Sequence, residues 1–207
     1  NDWIVKGIHL EGLRAIGHPE EYSKSYYESG IDELFLMDVV ASLYQRNSLF
    51  ELIEKIAKDV FVPIVVGGGI RKLSDISRAL ECGADKVAIN TAALQNPEFI
   101  SDAANEFGSS TIVIGIEAIR DESGKYFCFT DNGREHTGKE VVEWAKQVEA
   151  LGAGEIVITS VDNEGTGKGF DLNLTREIAQ AVRIPVIAHG GAGKTEHLVD
   201  IVLDDAD

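Results

Sequence analysis

Two glycine-rich stretches stand where an anionic ligand could be held. Gly67-Gly68-Gly69 and Gly190-Gly191-Ala192-Gly193 each follow a short apolar run and precede an amphipathic stretch. Glycine lets backbone N–H groups approach a ligand closely, and the N-terminus of a following helix favours negative charge. Two such sites predict a small molecule with two phosphates. The alternative is that both are tight turns that need glycine for geometry alone.

Acidic and polar residues lie at the ends of several apolar runs. They are Asp38, Glu117, Asp162, Glu164 and the pair Asn90-Thr91. An acid surrounded by Ile and Ala should have a raised pKa, which suits general acid/base chemistry near neutral pH. Each acid could instead be solvated or paired with a nearby base, so the acids are candidates only.

The histidines and cysteines argue against other chemistry. The five histidines show no metal-ligand spacing, and Cys82 and Cys128 do not form a Cys-x-x-Cys motif. No Ser-His-Asp arrangement can be argued from the spacing. We therefore expect neither a metal nor another cofactor.

An alternation of strands and helices has to position these residues. Apolar, β-branched runs predict strands at 32–38, 62–66, 86–90, 110–118, 155–162 and 185–188. Amphipathic stretches predict helices at 20–29, 48–58, 74–82, 97–107, 138–151, 172–182 and 195–203. Nearly continuous apolar strands suit a parallel sheet buried on both faces. The alternation predicts one α/β domain over 1–207, either a doubly wound sheet or a (β/α) barrel.

An internal repeat favours the barrel. At a shift of 122 residues, the stretch 30–34 falls on 152–156, 62–69 falls on 184–191, and 84–85 falls on 206–207. A two-fold repeat of four β-α units is expected of a (β/α)8 TIM barrel and not of a doubly wound sheet. By the same register, the first and last strands would lie before residue 1 and after residue 207. We therefore expect an incomplete barrel, since a full one typically takes ~250 residues.

Composition and charge restrict the partners. The 207 residues include 35 Asp and Glu against 19 Lys and Arg, a formal charge of −16, which argues against nucleic acid and an anionic membrane surface. No apolar run approaches the ~20 residues of a membrane span, and no signal-peptide pattern is found in the first residues, so we expect neither a membrane span nor a signal peptide. Two cysteines suggest a reducing cytoplasm.

Eight stretches spread along the chain form one combined pattern: VKG at 5–7, GIDEL at 30–34, VGGGI at 66–70, GADKVAINTAA at 83–93, NPE at 96–98, GAGEIVITS at 152–160, EGT at 164–166 and GGAGK at 190–194. Together they resemble a known family, the cyclase subunit of imidazole glycerol phosphate synthase. The resemblance implies a TIM barrel of histidine biosynthesis. It would use ammonia from a separate glutaminase subunit, in a heterodimer, to convert a bisphosphorylated ribulosyl aminoimidazole into imidazole glycerol phosphate and AICAR.

The resemblance also implies roles for individual residues. Phosphate or substrate would be bound by Lys6 on a flexible loop and by Asp38, Gly68, Gly69, Asn90, Thr91, Thr159, Glu164, Gly190 and Gly191. The ammonia entrance and the partner interface would involve Glu33, Lys86, Glu155 and Asp85. These four charges could equally form a structural ion-pair cluster.

The sequence departs from the family pattern at the catalytic rim. Of two family aspartates, one would lie before residue 1 and the other falls on Glu117, which is longer by one methylene. An acid in a later loop falls on Glu164, and a small residue falls on His189. These changes leave two alternatives open. One is a paralogue that relays ammonia for surface-sugar amidation, and the other is an inactive barrel fragment that self-associates through exposed sheet edges.

Overall fold

The computed structural model describes residues 3–39 and 48–204, in which strands and helices alternate. The strands are β1 (Ile4–Ile8), β2 (Glu11–Gly17), β3 (Leu34–Met37), β4 (Ile64–Gly67), β5 (Lys86–Ile89), β6 (Ile112–Arg120), β7 (Tyr126–Thr130), β8 (Glu135–Glu140), β9 (Glu155–Ser160) and β10 (Val186–His189). The helices are α1 (Pro19–Glu28), α2 (Ser48–Ile56), α3 (Leu73–Glu81), α4 (Thr91–Gln95), α5 (Glu98–Phe107), α6 (Val141–Ala150), α7 (Leu172–Ala179) and α8 (Thr195–Asp204).

Six strands form one parallel sheet in the order β10-β9-β6-β5-β4-β3. Each of them overlaps one of the six predicted strands, which are therefore confirmed with small shifts of their ends. The central strands β4, β5, β6 and β9 are largely buried on both faces, so almost every position selects an apolar residue, and the sequence signal is strong.

Helices cover the outer face of the sheet. Ile53, Ile76, Ile100 and Trp144 are fully buried there against strand residues such as Ile114. Burial of an aliphatic side chain of this size contributes roughly 1.5–3 kcal/mol, so this layer holds the helices on the strands.

The inner face has a separate core. Val65, Ala88, Val113 and Val157 form a second buried cluster, with Phe35 packed against it. All five residues come from strands, so this face is covered by the curvature of the sheet itself. The fold is therefore a (β/α) barrel of the TIM type, and the doubly wound alternative is wrong. Within the described residues, β3 and β10 each pair with one strand only.

The internal repeat is visible in the backbone. The bounds of β4 and β10 differ by 122 residues, as the sequence comparison predicts. Gly68 and Gly190 occupy equivalent turns with φ of +94° and +93°. The third match, at 206–207, lies outside the described residues.

One predicted helix is too long because the prediction overlooked a hairpin. Residues 138–151 were expected to be helical, but the helix begins at Val141, and Glu135–Glu140 pairs with β7 as an antiparallel strand. Five consecutive residues of this strand, EHTGK, are polar or Gly, so it shows no apolar alternation. β7 in turn pairs antiparallel with the end of β6, which places the β7–β8 hairpin at the carboxyl end of the sheet.

A second hairpin, β1–β2, was also not predicted. Its two turn residues are His9 and Leu10, with φ of +54° and +60°. It is largely exposed, and its turn lies against the loop that follows β9. Within 3–39 and 48–204, no helix has both the length and the apolar composition that crossing a membrane would require.

Candidate active site

The carboxyl ends of neighbouring strands bring three predicted positions into one row. Glu117 of β6 is the register partner of Thr159 of β9, and Thr159 is the register partner of His189 of β10. All three belong to the inner face, because Val113, Val157 and these residues alternate with outward-facing positions. The row therefore lines the barrel mouth.

Glu117 is held by groups from two directions. The Gly133 N–H donates to Glu117 Oε2 at 2.7 Å, and the Asn90 side chain hydrogen-bonds the same carboxyl group. Burial raises the pKa of Glu117, the two hydrogen bonds oppose this rise, and the charge of Asp131 adds to it. The pKa remains raised, as the sequence predicts for an acid at this place, so Glu117 can exchange a proton closer to neutral pH than an ordinary glutamate.

Asn90 has an unsatisfied polar atom at the same mouth. Its Oδ1 is buried and has no hydrogen-bond partner within the described part of the chain. An unpaired buried acceptor is costly, so this oxygen is available to a donor on a ligand or a water molecule. Thr91 follows directly and begins the short helix α4.

The two glycine turns lie at the ends of β4 and β10. A Cβ atom on Gly68 would meet the backbone of Asp38, whose N–H donates to the Gly67 carbonyl at 2.9 Å. On Gly190 it would meet the Ser160 carbonyl oxygen. Positive φ and these close contacts are sufficient to explain both glycines, so phosphate binding at the turns stays a prediction.

The end of β10 carries a histidine with a lowered pKa. His189 Nδ1 lies 3.0 Å from Thr159 Oγ1. Partial desolvation in the barrel mouth lowers the pKa of His189, while the charge of Glu164 opposes this. The imidazole is therefore mainly neutral near pH 7, and the tautomer decides which of the two residues donates.

Glu164, which was predicted to bind substrate, accepts hydrogen bonds from the β1–β2 hairpin that were not predicted. Its Oε2 accepts from the Leu10 N–H at 3.0 Å, and its backbone carbonyl accepts from the His9 N–H at 3.0 Å. The His9 ring bonds the Val161 carbonyl at 2.9 Å. Glu164 thus holds the turn of the β1–β2 hairpin, and Lys6 lies exposed on that hairpin.

The predicted entrance charges meet at the opposite end of the barrel. Lys86 Nζ lies 2.8 Å from Glu33 Oε1 and 2.6 Å from Glu155 Oε1. Burial alone would lower the pKa of Lys86, but the two carboxylates raise it. Glu155 Oε2 is buried without a partner in the described residues. The ion-pair cluster is therefore real, and its role in admitting ammonia stays a prediction.

Two other acids are engaged by backbone. Asp85 Oδ2 accepts from the Ile64 N–H at 2.8 Å, so the carboxylate fixes the start of β4. Asp162 Oδ2 accepts from the Arg120 N–H at 3.0 Å, which fixes the end of β6.

Of the groups that contact Glu117, Gly133 was missed by sequence reasoning, although the Asn132-Gly133 pair is a typical hairpin-turn signal.

Within residues 3–39 and 48–204, no group of three or more His, Cys, Asp or Glu side chains is arranged to hold a metal ion. The fold and these strand ends define a (β/α)-barrel protein with a polar cluster at the carboxyl face, where enzymes of this architecture have their active sites.

The comparisons with known proteins identify the family. The model of the histidine biosynthesis protein family matches residues 3–207. The imidazole glycerol phosphate synthase subunit HisF of Legionella pneumophila is 58% identical over 193 residues, which cover 93% of this chain and 91% of the relative. The chain belongs to the histidine biosynthesis protein family, and the predicted resemblance is confirmed.

Proposed function

We propose that this protein is the cyclase subunit of an imidazole glycerol phosphate synthase. It forms imidazole glycerol phosphate and AICAR from a bisphosphorylated ribulosyl aminoimidazole and ammonia. One observation carries the proposal beyond family membership: Glu117, with its raised pKa, stands at the barrel mouth that also bears the two glycine turns.

The substrate spans the mouth between the two turns. One of its phosphates accepts hydrogen bonds from the backbone N–H groups of Gly68 and Gly69. The other phosphate accepts them from the backbone N–H groups of Gly190 and Gly191. Backbone donors bind an anion without surplus Lys or Arg, so the acidic composition is compatible with this substrate. Asp38, Asn90, Thr91 and Thr159 complete the walls.

Glu117 supplies the acid/base step. Addition of ammonia to a carbonyl carbon requires a proton for the carbonyl oxygen and removal of a proton from the attacking nitrogen. A carboxyl group with a raised pKa can give the first proton and take back the second. Its hydrogen bond from the Gly133 N–H keeps the carboxyl group aimed at the mouth.

Ammonia enters at the other end of the barrel. Glu33, Lys86 and Glu155 surround that opening, and a glutaminase subunit docks over it, with Asp85 at the contact. The ion pairs at 2.8 Å and 2.6 Å close the opening until docking rearranges them.

Turnover of the ribulosyl intermediate with ammonium salts, read as AICAR release, tests the activity directly. Glu117→Gln should lower kcat about 100-fold or more, since general acid/base groups contribute on that scale. Glu143→Gln, an exposed change on α6, is the matched control and should retain wild-type activity.

Two outcomes would overturn the proposal. One is the absence of AICAR release by the wild-type protein, and the other is full activity of Glu117→Gln. Activation of a glutaminase without AICAR release would instead favour the ammonia relay, and self-association without either activity would favour the inactive fragment.

A further inference from the structure

The turn between β7 and β8 reaches across the barrel mouth. We name the residues Asp131, Asn132, Gly133 and Arg134 the mouth turn. It joins β7, which pairs antiparallel with the end of β6, the strand that carries Glu117, to β8, which pairs with β7. The mouth turn therefore lies beside the candidate active site and contacts Glu117.

The mouth turn is bonded at two places that are far apart in the sheet. Asn132 Nδ2 donates to the Val39 carbonyl at 2.9 Å, and the Gly133 N–H donates to Glu117 Oε2 at 2.7 Å. Val39 follows β3, whereas Glu117 lies on β6, three strands away in the sheet order. Adjacent residues of one turn therefore connect two separate walls of the mouth.

The backbone of the mouth turn is strained. Asp131, Asn132 and Gly133 have φ values of +55°, +59° and +77°. Two consecutive non-glycine residues in the left-handed region are uncommon, and such a conformation persists only where surrounding contacts enforce it. A Cβ atom on Gly133 would also lie 3.0 Å from the Val161 side chain, so the turn is packed closely on the β9 side.

The far end of this connection reaches the first glycine turn. Val39 directly follows Asp38, and the Asp38 backbone is the surface on which Gly68 packs. The bond from Asn132 therefore links the carboxyl group of Glu117 to the wall that carries one predicted phosphate site.

We propose that Asn132 is a positioning residue: its bond to the Val39 carbonyl fixes the mouth turn so that the Gly133 N–H stays on Glu117. The inference rests on the proposed function in one respect, since it assigns Glu117 the acid/base step. It adds that the distance between this carboxyl group and the first glycine turn is set by the amide of Asn132.

Asn132→Gly is the discriminating variant. Glycine adopts positive φ without cost, so the change removes the amide without adding backbone strain. Thr137→Val is the matched control, because it removes the bond from Thr137 Oγ1 to the Cys128 carbonyl within the same hairpin, away from the mouth turn. Both variants should fold.

We expect Asn132→Gly to lower kcat on the order of 10-fold while KM changes less than about threefold, since misplacement of a reacting group acts on the chemical step. Loss of the Gly133 bond also removes a contact that lowers the pKa of Glu117, so the acidic limb of the kcat profile should move to higher pH. Among the described groups near the Glu117 carboxyl group, Asp131 carries a charge and raises the pKa of Glu117. Its other neighbours, Asn90 and Thr159, are neutral.

A second readout does not depend on turnover. Carboxyl ¹³C NMR of glutamate-labelled protein follows the titration of Glu117, assigned by its loss in Glu117→Gln. In Asn132→Gly the midpoint should rise, and in Thr137→Val it should not move. An unchanged midpoint in Asn132→Gly would overturn the proposal even if the wild-type protein lacks cyclase activity. Equal shifts in both variants would also overturn it, because the effect would then belong to the whole hairpin.

Discussion

Thr159 Oγ1 and His189 Nδ1 lie 3.0 Å apart at the ends of neighbouring strands. Together with Glu117 they form a continuous polar row across β6, β9 and β10. The family resemblance implies a small residue at position 189, so the imidazole narrows the mouth beside the second glycine turn. The same bond fixes the orientation of the His189 ring.

The lowered pKa of His189 predicts a stability change with pH. Because the unfolded chain binds a proton more readily than the folded one, stability falls as pH drops through the ordinary histidine range near 6.5. His189→Asn should therefore lose less stability than the wild type between pH 7.5 and 5.5, as measured by urea unfolding. His136→Asn, at an exposed histidine on β8, is the matched control.

Glu117 should reduce stability at the pH where it functions. Its pKa is raised in the folded state, so the stability it contributes is present at acid pH and lost as pH rises through the folded pKa. Glu117→Gln should be more stable than the wild type at pH 7.5 by about 1 kcal/mol, a common size for changes at functional sites. The difference should shrink toward pH 4.5. A variant that is less stable at both pH values would contradict this account.

Gly68 should tolerate alanine less well than Gly30. Both have positive φ, +94° and +85°, but only at Gly68 would the new Cβ atom meet backbone, that of Asp38. Gly30→Ala should cost about 1 kcal/mol from the backbone conformation. Gly68→Ala should cost about 3 kcal/mol, since the neighbouring chain must also move. Thermal or urea unfolding of both variants measures the loss of unfolding free energy in each. Equal losses would show that the contact between the new Cβ atom and the Asp38 backbone does not affect stability.

Glu164 should control the mobility of the β1–β2 turn. Its Oε2 accepts from the Leu10 N–H, so Glu164→Ala should speed hydrogen exchange at Leu10 about tenfold, a typical loss for a bond to a charged acceptor. Glu164→Gln keeps an acceptor oxygen and should give a smaller change. Unaltered exchange in Glu164→Ala would mean that the His9 contacts hold the hairpin alone.

Lys86 should contribute more to stability than an exposed lysine with one partner. Lys86→Met leaves Glu33 and Glu155 without their shared cation in a partly buried site and should cost about 2 kcal/mol. Lys125→Met removes the exposed pair with Glu140 and should cost less than about 1 kcal/mol. Similar losses for both variants would contradict the distinction.

The parallel strands were predictable because burial on both faces selects apolar residues at nearly every position. The strand Ile64–Gly67 is fully buried, and its pattern is unambiguous. The two hairpins gave no such signal. Residues 11–16 of β2 are all exposed, and β8 is mostly exposed, so neither needs apolar alternation. The β1–β2 hairpin is positioned by hydrogen bonds to the distant loop after β9, and the β7–β8 hairpin is positioned by the pairing of β7 with the end of β6.

The candidate site was predictable in part for the same reason. Glu117 could be placed at a strand end from its apolar surroundings alone. The bond from Gly133 to Glu117 spans 16 residues, and the bond from Glu164 to Leu10 spans 154. Such contacts depend on the curvature of the sheet and the path of the loops, so no local pattern specifies the two partners. The hairpin-holding role of Glu164 was missed on this account, whereas the turn at Gly133 had a local signal in the Asn132-Gly133 pair that was overlooked.

Strand β5 carries Lys86 at its start, and Asn90 follows its end on the same face. Four residue steps of about 3.3 Å place them roughly 13 Å apart, with Ala88 between them. Insertion or deletion of a single residue within this strand would turn one of the two side chains to the helix side, because the side-chain period is two. The position of Lys86 in the ion-pair cluster and the position of Asn90 at the barrel mouth are therefore linked by the strand. A shift of one residue at either end would turn the other side chain away from the inner face.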